Sequence, residues 1–114
     1  MDVLLMDEKV LLMFREEIPG YYDFDLKREV PLEFDTELQD FAPGDDFICA
    51  LEAYEKTFKV DLSVVNWSHY FPWENLSFLT RWFKAKRKDV EKIRKPLTVR
   101  MFAESARAGK WLYD

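Results

Sequence analysis

The strongest constraint on the fold lies between residues 46 and 58. Phe47, Leu51, Tyr54 and Phe58 recur at intervals of four, three and four, with Ile48 and Ala50 widening the stripe. Recurrence near 3.6 residues puts these side chains on one face of an α-helix, which must be covered by something else. Just before it stands Pro43-Gly44-Asp45-Asp46. A glycine permits a tight approach, and carboxylates suit the exposed N–H groups and positive dipole end of a helix start. The chain is therefore expected to be built around an amphipathic helix over 46–58.

The flanking segments follow the same period. Val3, Met6, Val10, Met13 and Phe14 predict a first helix over 2–17, stopped by Pro19-Gly20. Residues 19–44 read as a long, aromatic connection carrying Tyr21, Tyr22, Phe24 and Phe34. The alternation around Leu32 and Phe34 allows a short extended piece there. A connection of that length is expected to pack or to have a function. Val65 to Phe71 predicts one or two helical turns before Pro72, and Leu76, Leu79, Phe83, Val90 and Ile93 predict helix over 75–93. Thr98 is placed to cap a last helix over Val99, Phe102, Ala103 and Ala106, closed by Gly109. Beyond it, Trp111 and Tyr113 either fold back or hang free. No stretch argues strongly for a sheet, so the fold class expected is all-α, an irregular helical bundle.

Composition supports one folded domain over 1–114. Of the 114 residues 48% are apolar and 17% aromatic, enough for a core at this length. A single cysteine, Cys49, excludes an internal disulfide and a cysteine-rich zinc site. A single histidine, His69, excludes a multi-histidine metal centre, and no nucleophile–base arrangement is recognisable. The reading is a protein that is not an enzyme and holds no metal or cofactor. The N-terminal apolar stretch is interrupted by Asp2, Asp7, Glu8 and Lys9, unlike a signal peptide or membrane span, so a cytoplasmic location is expected.

The net charge of −5 conceals a polarity. Residues 1–57 hold 16 acidic and 5 basic side chains, and residues 58–114 hold 6 acidic and 12 basic. The plainest consequence is that the two halves neutralise each other within one molecule, and that reading is slightly favoured over a functional basic face. The adjacent pair Asp45 and Asp46 is read as a helix-start feature, since paired carboxylates in acid–base work sit across a substrate.

At Thr36–Leu62 the chain resembles the acyl carrier proteins. The run Asp-Phe-Ala-Pro-Gly-Asp-Asp-Phe-Ile, the acidic helix after it, the Glu-Lys-Thr-Phe end and the Val-Asp-Leu link follow the carrier pattern. Leu97-Thr98-Val99 is similar to the start of that fold's last helix. Together with Tyr70-Phe71-Pro72 and Ala108-Gly109-Lys110-Trp111, these motifs also resemble a bacterial family of small proteins of unknown function to which a carrier-like fold is ascribed. The resemblance implies an acyl-carrier-like bundle with a long loop between helices 1 and 2 and an extra segment, residues 72–95, before the last helix.

The departure from the carrier pattern is specific. Carriers esterify phosphopantetheine to a serine at the start of the second helix. Three alignments place that position at Gly44, Asp45 or Asp46, none of which is a hydroxyl. The resemblance further implies that Asp45, Asp46, Glu52 and Glu55 form an acidic docking face for a protein partner. The resulting expectation is a non-enzymatic interaction or regulatory module. A second reading takes Trp82, Phe83, Lys84, Lys86, Arg87 and Lys88 as a surface for anionic membranes or other anions. A third is a genuine carrier with an atypical attachment site. The acidic balance argues against a nucleic-acid partner.

Overall fold

The structure, a computed structural model, describes residues 3–41, 45–72 and 94–113. Its elements in chain order are α1 (Val3–Glu17), β1 (Tyr21–Asp23), β2 (Arg28–Val30), a short α2 (Leu38–Phe41), α3 (Asp45–Phe58), a 3-10 turn (Trp67–His69) and α4 (Val99–Ala108). The helix expected over 75–93 lies outside the described residues.

Helix α1 packs against both α3 and α4. It buries Val10, Leu11 and Phe14, with Ile18 buried just past its end, α3 buries Phe47, Ala50 and Tyr54, and α4 buries Val99, Phe102, Ala103 and Ala106. These are helix-period sets, and burying one such stripe on each helix stabilises the trio at roughly 25 cal/mol per Å² of apolar area removed from water. The centre is aromatic. The Phe14, Tyr54 and Phe102 rings, one from each helix, lie 5.0–6.0 Å apart between centroids. Offset and edge contacts of this kind add to the area term. The Tyr54 hydroxyl donates to the Phe102 carbonyl at 2.7 Å, which satisfies the phenol inside the core. Trp111 folds back onto Phe102, 5.1 Å away, so the chain end closes the core rather than hanging free.

The helix ends are set by different means. Gly109 has φ 76°, and the N–H groups of Gly109 and Lys110 donate to Ala106 and Ser105 carbonyls, a Schellman closure. At the end of α3 the left-handed position is taken by Lys59 (φ 60°), whose N–H donates to the Glu55 carbonyl. Thr98 occupies the N-cap position of α4 but makes no side-chain capping bond. The cap comes instead from a distance, as the Arg100 N–H donates to the Phe34 carbonyl at 3.0 Å.

The connection from 19 to 44 departs from an all-helical reading. It holds a two-stranded antiparallel hairpin with Tyr21 opposite Val30, Tyr22 opposite Glu29 and Asp23 opposite Arg28. The strands lie earlier than the alternation around Leu32 and Phe34 suggested. The loop between them is organised by Asp23, whose Oδ1 accepts from the N–H groups of Asp25 and Leu26 at 2.9 and 3.0 Å. Lys27 completes the turn at φ 55°. Gly20 is needed for close approach, because a Cβ there would lie 2.4 Å from the Val30 carbonyl oxygen. Fold class is thus mostly helical with a small sheet, and Leu32 and Leu38 carry the connection into the core.

One buried polar side chain fastens this connection to the rest. Gln39 donates from Nε2 to the carbonyls of Lys95 (2.6 Å) and Tyr70 (3.3 Å), and its Oε1 accepts from the Leu97 N–H at 3.0 Å. Beside it, the Leu38 N–H donates to the Leu97 carbonyl and the Lys95 N–H to the His69 carbonyl. Three backbone segments meet at one satisfied amide, which fixes the 3-10 turn relative to α4.

Candidate functional site

The charge polarity resolves into specific pairs. Arg100 grips Asp35 bidentately, Nε to Oδ1 at 2.7 Å and an Nη to Oδ2 at 3.0 Å, and stacks its guanidinium 5.2 Å from the Phe34 ring centre. That hydrogen bond to Arg100 holds the Asp35 carboxyl below the ordinary carboxylate range and raises Arg100 in turn. Arg94 bonds both Glu37 (3.2 Å) and Asp40 (2.9 Å), and Asp40 chiefly raises its pKa. Arg107 reaches Asp7 at 3.0 Å. Three bases of the second half therefore neutralise four acids of the first, and Arg15 adds a bridge to Glu33. Intramolecular complementation accounts for much of the asymmetry.

The acids of α3 take no part in these pairs. Asp45, Asp46, Glu52 and Glu55 are all exposed, and none forms an ion pair with a described residue. Asp45, Ile48, Glu52 and Glu55 follow one another at three, four and three residues, so they form a single row along the helix. Ile48 was expected to widen the core stripe. It is instead 53% exposed, on the row with the carboxylates. Asp45 and Asp46 lie inside the first turn of α3, where their charge complements the helix dipole. Gly44 lies outside the described residues.

Glu55 has a structural task as well. Its Oε2 accepts from the Leu62 N–H at 3.0 Å, which folds the chain after α3 back against the helix. Next to it, the Asp61 carboxylate takes both the hydroxyl (2.6 Å) and the N–H (2.9 Å) of Ser63, and these bonds lower its pKa. Between α3 and this returning segment runs a shallow groove of about 310 Å³, lined by Ile48, Leu51, Glu52, Glu55, Leu62, Ser63 and Trp67. Trp67 is held from behind by ring contacts to Phe47, Tyr70 and Phe71 at 6.4–6.5 Å. The periodic pattern of α3 located the acidic row. It did not locate Leu62, Ser63 and Trp67, which reach the groove because the link after α3 folds back, tied to Glu55 at Leu62.

Other depressions have a different character. The one lined by Tyr21, Thr36, Glu37, Asp40 and Phe41 is larger, about 510 Å³, but both its carboxylates are engaged by Arg94. A third, about 280 Å³, lies beside Tyr70, Lys95, Pro96, Met101 and Tyr113. There the Tyr113 hydroxyl donates to Glu104, and that bond, with some burial, raises its pKa to about 12. Among the described residues no three His, Cys, Asp or Glu side chains converge on a point that could hold a metal ion. Of the described serines, Ser63 donates to Asp61, Ser68 donates to Asn66, and Ser105 is fully buried, accepting from the Leu112 N–H. None opens α3. Trp82, Phe83, Lys84, Lys86, Arg87 and Lys88 lie outside the described residues, and no described helix is long and apolar enough to cross a membrane.

The chain belongs to a family of proteins of unknown function, DUF1493, whose sequence profile matches residues 4–114. No curated protein and no solved structure matches it.

Proposed function

We propose that this protein is a non-enzymatic interaction module with an acyl-carrier-like fold, and that it docks a basic protein partner through the acidic face of α3, the row of Asp45, Glu52 and Glu55 with Asp46 beside it. The observation carrying this reading is a cluster of four exposed carboxylates on one helix that join none of the ion pairs among the described residues. Asp7, Glu33, Asp35, Glu37 and Asp40 are neutralised from within the chain, whereas Asp45, Asp46, Glu52 and Glu55 meet no cation among the described residues. Uncompensated like charges on one face repel each other and favour an oppositely charged surface, raising the rate of encounter with it. The sequence pattern at 36–62 supports the carrier-like part of the proposal. The resemblance puts the carrier serine at Gly44, Asp45 or Asp46, around the start of α3, and neither a glycine nor a carboxylate can take the place of the serine hydroxyl in the phosphopantetheine ester. The module would therefore act by binding alone.

The test is affinity capture from extract of the source cells, read by mass spectrometry, with wild type beside Asp46→Lys/Glu52→Lys. Loss of a captured protein from the variant supports the acidic row as the docking face. Recovery of the same proteins in the same amounts places docking elsewhere.

A further inference from the structure

The groove beside the acidic row has a shape that charge alone does not require. Its walls are apolar and fixed: Leu51 from the helix, Leu62 pinned by the Glu55 hydrogen bond, and Trp67 backed by three rings. Ile48 stands at its edge, half exposed. At about 310 Å³ it sits at the bottom of the range for small-molecule pockets, which enclose most of a ligand's surface. This groove is shallow and open, so a cofactor-sized molecule would stay largely in water. It is sized for one large side chain presented from outside.

We propose, resting on the docking reading above, that this groove seats a single apolar anchor side chain of a basic amphipathic helix belonging to the partner protein. Charge complementarity selects the occupant. Glu52 and Glu55 border the groove, and Asp61, bonded to the groove-lining Ser63, adds a third carboxylate beside it. An apolar side chain can enter only if its neighbours tolerate that rim, which calls for lysine or arginine. The carboxylates of Asp45, Glu52 and Glu55 are spaced by helical rise, about 10 Å and then about 5 Å along the axis. A partner helix laid alongside presents cations at the same rise, with its anchor one turn from them. A second copy of this chain is a poor occupant, since a two-fold contact through this face would set the acidic row against itself.

The probes are three 14-residue helical peptides, one of lysine and leucine, one of lysine and alanine, and one of glutamate and leucine. Each is titrated into ¹⁵N-labelled protein at low salt, with backbone and Trp67 indole resonances followed. The proposal expects the lysine–leucine peptide to shift Ile48, Leu51, Ser63 and the Trp67 indole, and to bind at least about tenfold more tightly than either other peptide, or about 1.4 kcal/mol. Ile48→Asp should weaken it at least about tenfold. Ile48 is half exposed, so the variant should fold, and its melting curve checks that. Equal binding of the lysine–alanine peptide on α3 would overturn the anchor while leaving the acidic docking face standing. Equal binding of the glutamate–leucine peptide would overturn the charge selection and, with it, the proposal. If the lysine peptides leave the α3 resonances unmoved, the groove and the docking face both fall.

Discussion

Replacing Gln39 by leucine should be among the most damaging single changes in this fold, although it converts a polar residue in the interior to an apolar one of similar size. Gln39 is 7% exposed and satisfies the Leu97 N–H and the Lys95 carbonyl at 3.0 and 2.6 Å, with a longer bond to the Tyr70 carbonyl. Leucine leaves the buried Leu97 N–H without this partner, at about 1–3 kcal/mol, removes one bond each from the Tyr70 carbonyl and the part-buried Lys95 carbonyl, at roughly 2 kcal/mol for the pair, and recovers roughly 1 kcal/mol by burying apolar surface. The net loss is about 3 kcal/mol, a large part of the roughly 5–15 kcal/mol that holds a domain folded. At this chain length it lowers Tm by about 10–15 °C. Thermal and urea unfolding followed by circular dichroism measure it, and faster amide exchange at Leu97 localises it. Gln39→Glu is the companion variant. It keeps the acceptor for Leu97 but sets a carboxylate against two carbonyls, so its pKa rises in the folded state. The folded form then binds more protons between the two pKa values, so the deficit should shrink as pH falls through the raised folded pKa and be smallest below the ordinary glutamate range. A Gln39→Leu protein within 1 kcal/mol of wild type, with unchanged exchange at Leu97, would refute the idea that this amide fastens the turn to α4.

Three further outcomes follow from the same structure. Gly20→Ala should cost about 1–3 kcal/mol in urea unfolding, because its Cβ would sit 2.4 Å from the Val30 carbonyl oxygen and the hairpin base must open to admit it. In alkali, Tyr113 is held near 12 by Glu104 and Tyr54 is raised by burial, both above the ordinary 10.0. Raised folded pKa values make the associated stability complete below pH 10 and lost as pH climbs toward 12. Denaturant midpoints across that window should fall, and Tyr113→Phe should flatten part of the decline. Co-expression with a phosphopantetheinyl transferase should leave the intact mass unchanged, and a gain of one phosphopantetheine group would mark the chain as a true carrier.

What was legible in the sequence is what depends on local periodicity. The stripes of α1, α3 and α4 are near-complete in the order of residues, and Gly109 announces its own left-handed turn. The hairpin was not legible. Its strands are three residues each, Tyr21, Tyr22, Phe24 and Leu26 remain exposed, and no inward–outward alternation marks them. Asp23 and Gly20 hold it through close approaches to residues up to eleven positions away. Thr98 takes the N-cap position of α4 as expected but makes no capping bond, and the Arg100 N–H finds its partner in the Phe34 carbonyl, 66 residues earlier, which local sequence does not show. The acidic row could be read from α3 alone, but the groove beside it could not. It depends on Glu55 reaching forward to Leu62, a long-range use of a residue that helical spacing marks only as solvent-facing.

The docking claim is tested most directly by quantitative capture from source-cell extract with wild type and Asp46→Lys/Glu52→Lys, both verified as folded by their melting curves. At least one protein should bind wild type and be reduced about tenfold or more on the variant. Restoration when a basic surface of that protein is reversed to acidic would identify the contact. Identical capture by both forms would contradict it.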